Sequence, residues 1–122
     1  MTIAQALYNF WSSFGVAAYD ETSVPDADDL TFPYLTYETV DDEFGNAVAL
    51  TTNLFYRSSS WKDITDKTAA IETEISRGGK LVKYDGGAFW IVKGTPFAQR
   101  MKDTRDEMVR VVIINVMIEF IK

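Results

Sequence analysis

The chain has no cysteine and no histidine among its 122 residues. Without cysteine there is no disulfide scaffold, no thiolate zinc site and no cysteine nucleophile. Without histidine, Ser-His and Cys-His nucleophilic systems and imidazole metal sites are excluded within one chain. Carboxylates, lysines and tyrosines are what remains for catalysis. Cations are also scarce: 12 lysines and arginines stand against 18 acidic residues, a net charge of −6. An acidic surface repels nucleic acid, and no basic run interrupts it. Long apolar runs are missing too. The longest, Val111 to Val116, is broken by Asn115 and falls far short of the roughly 20 residues that span a membrane. The opening Met1-Thr2-Ile3-Ala4-Gln5 lacks a basic stretch and a cleavage site, so no signal peptide is expected.

Hydrophobic residues make up 47% of the chain, enough for a folded core. Its length fits a single domain over residues 1–122. Ile3, Leu7, Phe10 and Phe14 recur at helical spacing beside Trp11, with Thr2 as N-cap and Gly15 as C-cap. This aromatic face either docks on a sheet or packs partly on a neighbouring subunit. Ala18 to Leu30 reads as an acidic loop, and its Asp26-Ala27-Asp28-Asp29 lacks the glycine and glutamate of a calcium loop. Pro33 to Glu38 and the alternating run Ala47 to Ser58 read as strands joined through the acidic tip Asp41-Asp42-Glu43-Phe44-Gly45-Asn46.

Trp61 to Arg77 returns to helical period through Ile64, Thr68, Ile71 and Ile75. One of Ser58 to Ser60 caps it, and Gly78-Gly79 ends it. Leu81 to Tyr84 and Ala88 to Val92 form a hairpin about Asp85-Gly86-Gly87, which Gly94-Thr95-Pro96 terminates. Phe97 to Glu107 reads as a connector with a helical turn. Met108 to Ile121 reads as a long strand, apolar on both faces, hence central or covered by a partner. The fold expected is α+β: a mainly antiparallel sheet of about five strands with two helices on one face, in the order α-β-β-α-β-β-β.

Three groupings suggest chemistry. Lys102, Asp103, Asp106 and Glu107 could be drawn as a magnesium site, but they sit in a polar connector that a solvated surface explains. Gly78-Gly79-Lys80 follows a helix rather than preceding one, so it caps a helix and is not a phosphate loop. Tyr84-Asp85-Gly86-Gly87 beside Trp90 would line an aromatic pocket or simply form a turn. Arg57 and Glu119, charges on apolar strands, would form a cross-strand ion pair if their strands are neighbours. No catalytic residue, cofactor or metal is expected. A small carboxylate-based enzyme or ligand-binding domain is the alternative of a different class.

One ordered set of segments carries more. It runs from Val24-Pro25-Asp26-Ala27 through Phe32-Pro33-Tyr34-Leu35-Thr36-Tyr37-Glu38 to Leu54-Phe55-Tyr56-Arg57-Ser58-Ser59-Ser60-Trp61. It continues with Tyr84-Asp85-Gly86-Gly87, Trp90-Ile91, Gly94-Thr95-Pro96-Phe97-Ala98-Gln99 and Glu119-Phe120. In this order the chain resembles the tail terminator proteins of siphophages, phages with long non-contractile tails. The resemblance implies a structural virion protein of the tail or neck, assembled in the host cytoplasm and without catalytic residues. Its implied partners are itself, in a ring that is typically a hexamer, the major tail tube protein and a head-completion protein. DNA passes the lumen without specific binding, and no membrane is involved. Another neck component, a head- or tail-completion protein, shares these features. Candidate contact residues are Phe10 and Trp11 on the first helix, Asp41, Asp42, Glu43 and Phe44 at the hairpin tip, and Met117 and Glu119 on the last strand. The acidic tip is expected to face the lumen or a tube subunit.

Overall fold

In the computed structural model, residues 1–40, 47–75, 78–103 and 105–121 are described. Helix α1 (Ile3–Ser12) starts where its sequence signal places it. Thr2 Oγ1 accepts the Gln5 N–H at 3.1 Å and Gln5 Oε1 accepts the Thr2 N–H at 2.8 Å, so two orphan donors are satisfied reciprocally. The helix ends at Ser13, whose hydroxyl donates to the Phe10 carbonyl at 2.6 Å. Ile3, Ala6, Leu7, Phe10 and Trp11 are buried, the one-sided pattern of a helix docked on a sheet.

Strand β1 (Ala17–Asp20) follows at once, where a loop was expected. Four residues, Ala-Ala-Tyr-Asp, carry too little alternation to announce a strand. They become one because β2 (Tyr34–Tyr37) lies alongside, parallel, with Ala17 opposite Tyr34 and Asp20 opposite Tyr37. A short 3-10 turn, Ala27–Asp29, lies between them. β3 (Ala47–Arg57) pairs antiparallel with β2, Tyr37 opposite Thr52, and alternates as its sequence requires: Leu50, Thr52 and Leu54 are buried.

Helix α2 (Lys62–Ile75) begins where Ser60 Oγ accepts the Lys62 N–H at 3.0 Å. It buries Ile64, Ile71 and Ile75 against β3, β5 (Gly87–Lys102) and β6 (Val109–Ile121). β4 (Lys80–Tyr84) turns into β5 through Asp85-Gly86, with Gly86 at a φ of +94°. That left-handed backbone favours glycine.

β5 departs most from expectation. It does not stop at Gly94–Pro96 but runs on to Lys102, taking up the segment expected as a connector. The four residues Gly94 to Phe97 stand opposite Asn115 alone, between the pairs Lys93–Val116 and Ala98–Ile114. Asn115 Nδ2 donates to the Pro96 carbonyl at 3.0 Å and holds the bulge. A Cβ on Gly94 would lie 2.8 Å from the Asn115 carbonyl oxygen, so only glycine fits there.

The sheet therefore has six strands among the described residues, one more than expected, in the order β1-β2-β3-β6-β5-β4. It is antiparallel except for β1–β2. Both helices contribute to a single core with the inward side chains Leu35, Leu54, Phe89, Ile91, Ile114 and Ile118. The sheet curls enough that α1 touches both edge strands, β1 and β4. The Met1 carbonyl accepts the Asp85 N–H at 2.7 Å and the terminal ammonium pairs with the Asp85 carboxylate. The expected Arg57–Glu119 pair does not form. β3 and β6 are neighbours, but antiparallel pairing sets Arg57 opposite Val109 and Glu119 opposite Ala47, about 30 Å apart along the ladder. Arg57 instead pairs with Asp106 at 3.2 Å.

Among the described residues one buried side-chain polar atom has no partner: the hydroxyl of Thr52, 1% exposed and opposite Ile114. An unmade hydrogen bond at a buried hydroxyl costs roughly 1–3 kcal/mol. Thr52→Val keeps the shape and removes the hydroxyl. Thermal unfolding followed by circular dichroism should show a rise of about 3–5 °C in Tm. A fall in Tm would mean that the hydroxyl is satisfied in solution.

Candidate functional site

The two faces of the sheet differ in what covers them. The inner face lies under α1 and α2. No helix among the described residues packs on the outer face, yet much of it is apolar. Alternation aims Tyr34, Phe55, Val111 and Met101 outward, each opposite the next across β2, β3, β6 and β5, with Val111 only 4% exposed and Met101 51%. Tyr34 and Phe55 stack at 4.7 Å, and Tyr19 and Phe32 flank Tyr34 with ring centroids 6.3 and 5.3 Å away. A second row crosses the opposite half: Ala49, Met117 and Val92. Beside it lie Glu119, Trp90 and Leu81, with Leu81 40% exposed.

Met117 and Glu119 therefore share this outer face, the first half-buried and the second exposed. Phe10 and Trp11 are elsewhere. They are 5% and 1% exposed and pack edge to face at 5.0 Å inside the subunit's own core. Tyr8 is the aromatic residue that α1 leaves in solvent. Asp41, Asp42, Glu43 and Phe44 lie outside the described residues.

The groupings that suggested chemistry have structural uses. Asp103 Oδ1 accepts the N–H groups of Arg105 and Asp106 at 2.7 and 3.2 Å. Asp106 accepts the Met108 N–H at 2.9 Å as well as Arg57 Nε, and these bonds hold its carboxyl below the usual carboxylate range. Among the described residues no group of three or more acidic side chains could hold a metal ion. Gly79 has a φ of +84°, and a Cβ there would meet Val92 and the Ile91 carbonyl. Close approach to β5 explains the glycine without a phosphate. Tyr84 and Trp90 do not line one pocket. Tyr84 stacks on the inward Phe89 at 5.9 Å, whereas Trp90 lies on the outer face opposite Leu81 and Glu119.

Two features had no clear signal in the sequence. The Trp61 ring is flanked by guanidinium carbons of Arg100 at 4.6 Å and Arg110 at 5.3 Å. Arg110 also donates to the Ser58 and Ser59 carbonyls, which locks the approach to α2. The second is an open groove of about 360 Å³ between α1 and β4.

At the other edge, Asp20 is held by three hydrogen bonds. The Thr39 hydroxyl matters most, followed by the Thr22 N–H at 2.9 Å and the Thr22 hydroxyl at 2.7 Å. They hold its carboxyl below the ordinary aspartate value.

No protein-family model matches the chain, and no curated protein sequence matches it. The chain is similar to one in a solved structure described as the virion of a native gene transfer agent particle. The likeness covers 98% of this chain and 91% of that one, with 16% identity and a TM-score of 0.56. It shows a shared fold across nearly the whole of both chains.

A depressed aspartate pKa adds stability that is present above the unfolded value and lost as pH falls through the folded value. Asp20→Asn should therefore reduce stability at neutral pH and flatten its decline below about pH 4. Denaturant midpoints measured at several pH values would show this. Parallel curves for the two proteins would rule out the linkage.

Proposed function

We propose that the chain is a structural protein of a phage-like virion, and within it a tail terminator. Its subunits form a ring, typically of six, that caps the tail tube and meets the head-completion complex. The observation that carries this reading is the fold shared, over nearly its full length, with a chain of a gene transfer agent virion. The ordered segments from Val24 to Phe120 that resemble siphophage tail terminators support the finer role.

The physical chemistry agrees. A ring of identical subunits needs large contact surfaces rather than a reaction centre. The outer sheet face supplies one, with Met117 near its middle and Glu119 at its border. An excess of six negative charges lets DNA pass a lumen without sticking to it. The working site in this reading is the virion neck, after assembly in the host cytoplasm.

The direct test mixes purified chain with tail tube protein. Electron microscopy should show tubes closed by a ring at one end, and light scattering should show a discrete oligomer. Rings that bind head-completion protein but no tube would assign the chain to another position in the neck. A chain that is monomeric alone and with every virion partner would defeat the reading. Met117→Lys offers a second check. Its long stem lies along the apolar face and leaves the subunit folded, with Tm within about 3 °C of the parent, but the oligomer should be lost. Loss of the folded monomer instead would assign Met117 to the subunit's own core.

A further inference from the structure

Strand β5 has a neighbour on both sides only along its first part. β4 pairs with residues 87–91 and goes no further. Past the bulge, residues 98–102 pair with β6 alone, Ala98 opposite Ile114 and Lys102 opposite Arg110. Among the described residues this stretch is therefore a free edge within a longer strand. Alternate N–H and C=O groups of such an edge point away from the ladder and find no partner in it. None of the turn and loop backbone bonds among the described residues reaches them.

A groove of about 440 Å³ lies beside this edge, between it and α2. Thr65, Thr68 and Ala69 form the helix wall, and Phe97, Ala98 and Val112 supply apolar groups on the sheet side. Ala98 and Arg100 stand opposite the buried Ile114 and Val112, so both point to the helix side. Gln99 points the other way and still lines the groove, which therefore runs past the free backbone edge. A slot between an edge strand and a helix seats an extended segment, which adds main-chain hydrogen bonds to the strand.

The charges at this edge are unbalanced. Arg100 and Lys102 are exposed, and no carboxylate among the described residues forms an ion pair with either. Arg100 lies over Trp61, and Lys102 stands directly opposite Arg110, a like-charge pair across the ladder. Glu72, the carboxylate that lines the groove, is 3.9 Å from Lys93. Asp103 and Glu107 share a neighbouring hollow with Trp61, Lys102 and Arg110 but form no ion pair with them. Two such edges side by side would bring arginine and lysine together, so the edge is guarded against pairing with itself. A segment that carries carboxylates meets no such barrier.

We propose that this groove takes an extended, acidic segment of a partner protein, which adds as a strand to residues 98–102. Its main chain bonds to the open side of β5, alternate side chains lie toward Thr65 and Thr68, and its carboxylates meet Arg100 and Lys102. Nucleic acid offers phosphates but no strand to add, and the net charge of −6 repels it. The seat is on the helix side of the sheet, apart from the outer face.

The test uses the full chain and a fluorescein-labelled hexapeptide of alternating valine and glutamate. Anisotropy should rise and saturate, and hydrogen exchange should slow at backbone amides within 98–102. Arg100→Ala combined with Lys102→Ala should weaken binding roughly tenfold, the loss of two exposed charge pairs. High salt should weaken it as well. Circular dichroism checks that the variant folds, and Lys102→Ala alone, which leaves Arg100 on Trp61, should cost about threefold. N-methylation at one set of alternate peptide residues should abolish binding, whereas methylation of the other set should be tolerated, because only one set faces β5. No binding, indifference to methylation, or equal binding of a valine–lysine peptide overturns the proposal. Tighter binding of an oligothymidylate would make the groove a nucleic-acid site and overturn it too. If the double variant loses self-association in light scattering with no peptide present, the occupant is a second copy, and the choice of a separate partner falls.

Discussion

Strand β6 is the constraint on which the other elements depend. It is paired along its length by β3 on one side and by β5 on the other. Its inward side chains Val112, Ile114, Val116 and Ile118 are at most 4% exposed and form the floor on which the helices rest. Each buried side chain of this size contributes about 1.5–3 kcal/mol, so moving the strand by one residue would forfeit the whole set at once. That fixes the register of β3 and β5, and with it the outward positions of Met117, Phe55 and Trp90. The apolar outer face follows from the same alternation that builds the core.

A second consequence is the curl of the sheet. α1 is short, yet it reaches both edge strands, because the sheet bends around the cluster of Phe10, Trp11 and Phe14. Phe10 and Trp11 are thereby committed to the subunit itself, while Tyr8 stays in solvent. The reverse of the sheet carries neither α1 nor α2, and a slot stays open between α1 and β4.

Local signals in the sequence were read well where they act within a few residues. The N-cap at Thr2, the stripe of Ile64, Ile71 and Ile75, the turn at Asp85-Gly86 and the alternation of β3 all appear as expected. Longer-range events were not legible. β1 needs β2 beside it to become a strand. β5 continues past Gly94-Thr95-Pro96 because Asn115 on another strand holds the bulge. Arg57 and Glu119 were correctly placed on neighbouring strands, but only the antiparallel register reveals that they sit at opposite ends.

For the candidate surfaces the division is similar. Two apolar faces on the last strand were visible in its composition, so Met117 could be named from sequence. Phe10 and Trp11 could not be assigned to the core or to a partner, because helical periodicity shows that a face is apolar without showing what it meets. The groove beside β4 was invisible, since it depends on α1 being carried to the far edge by the curl. The sequence by itself determined the absent chemistry, the charge and most elements, because these depend on residue identity and on neighbours within a turn or a hairpin. Only the tertiary structure decided which apolar face α1 and α2 cover and where the edges lie, because those depend on contacts between residues far apart in the chain.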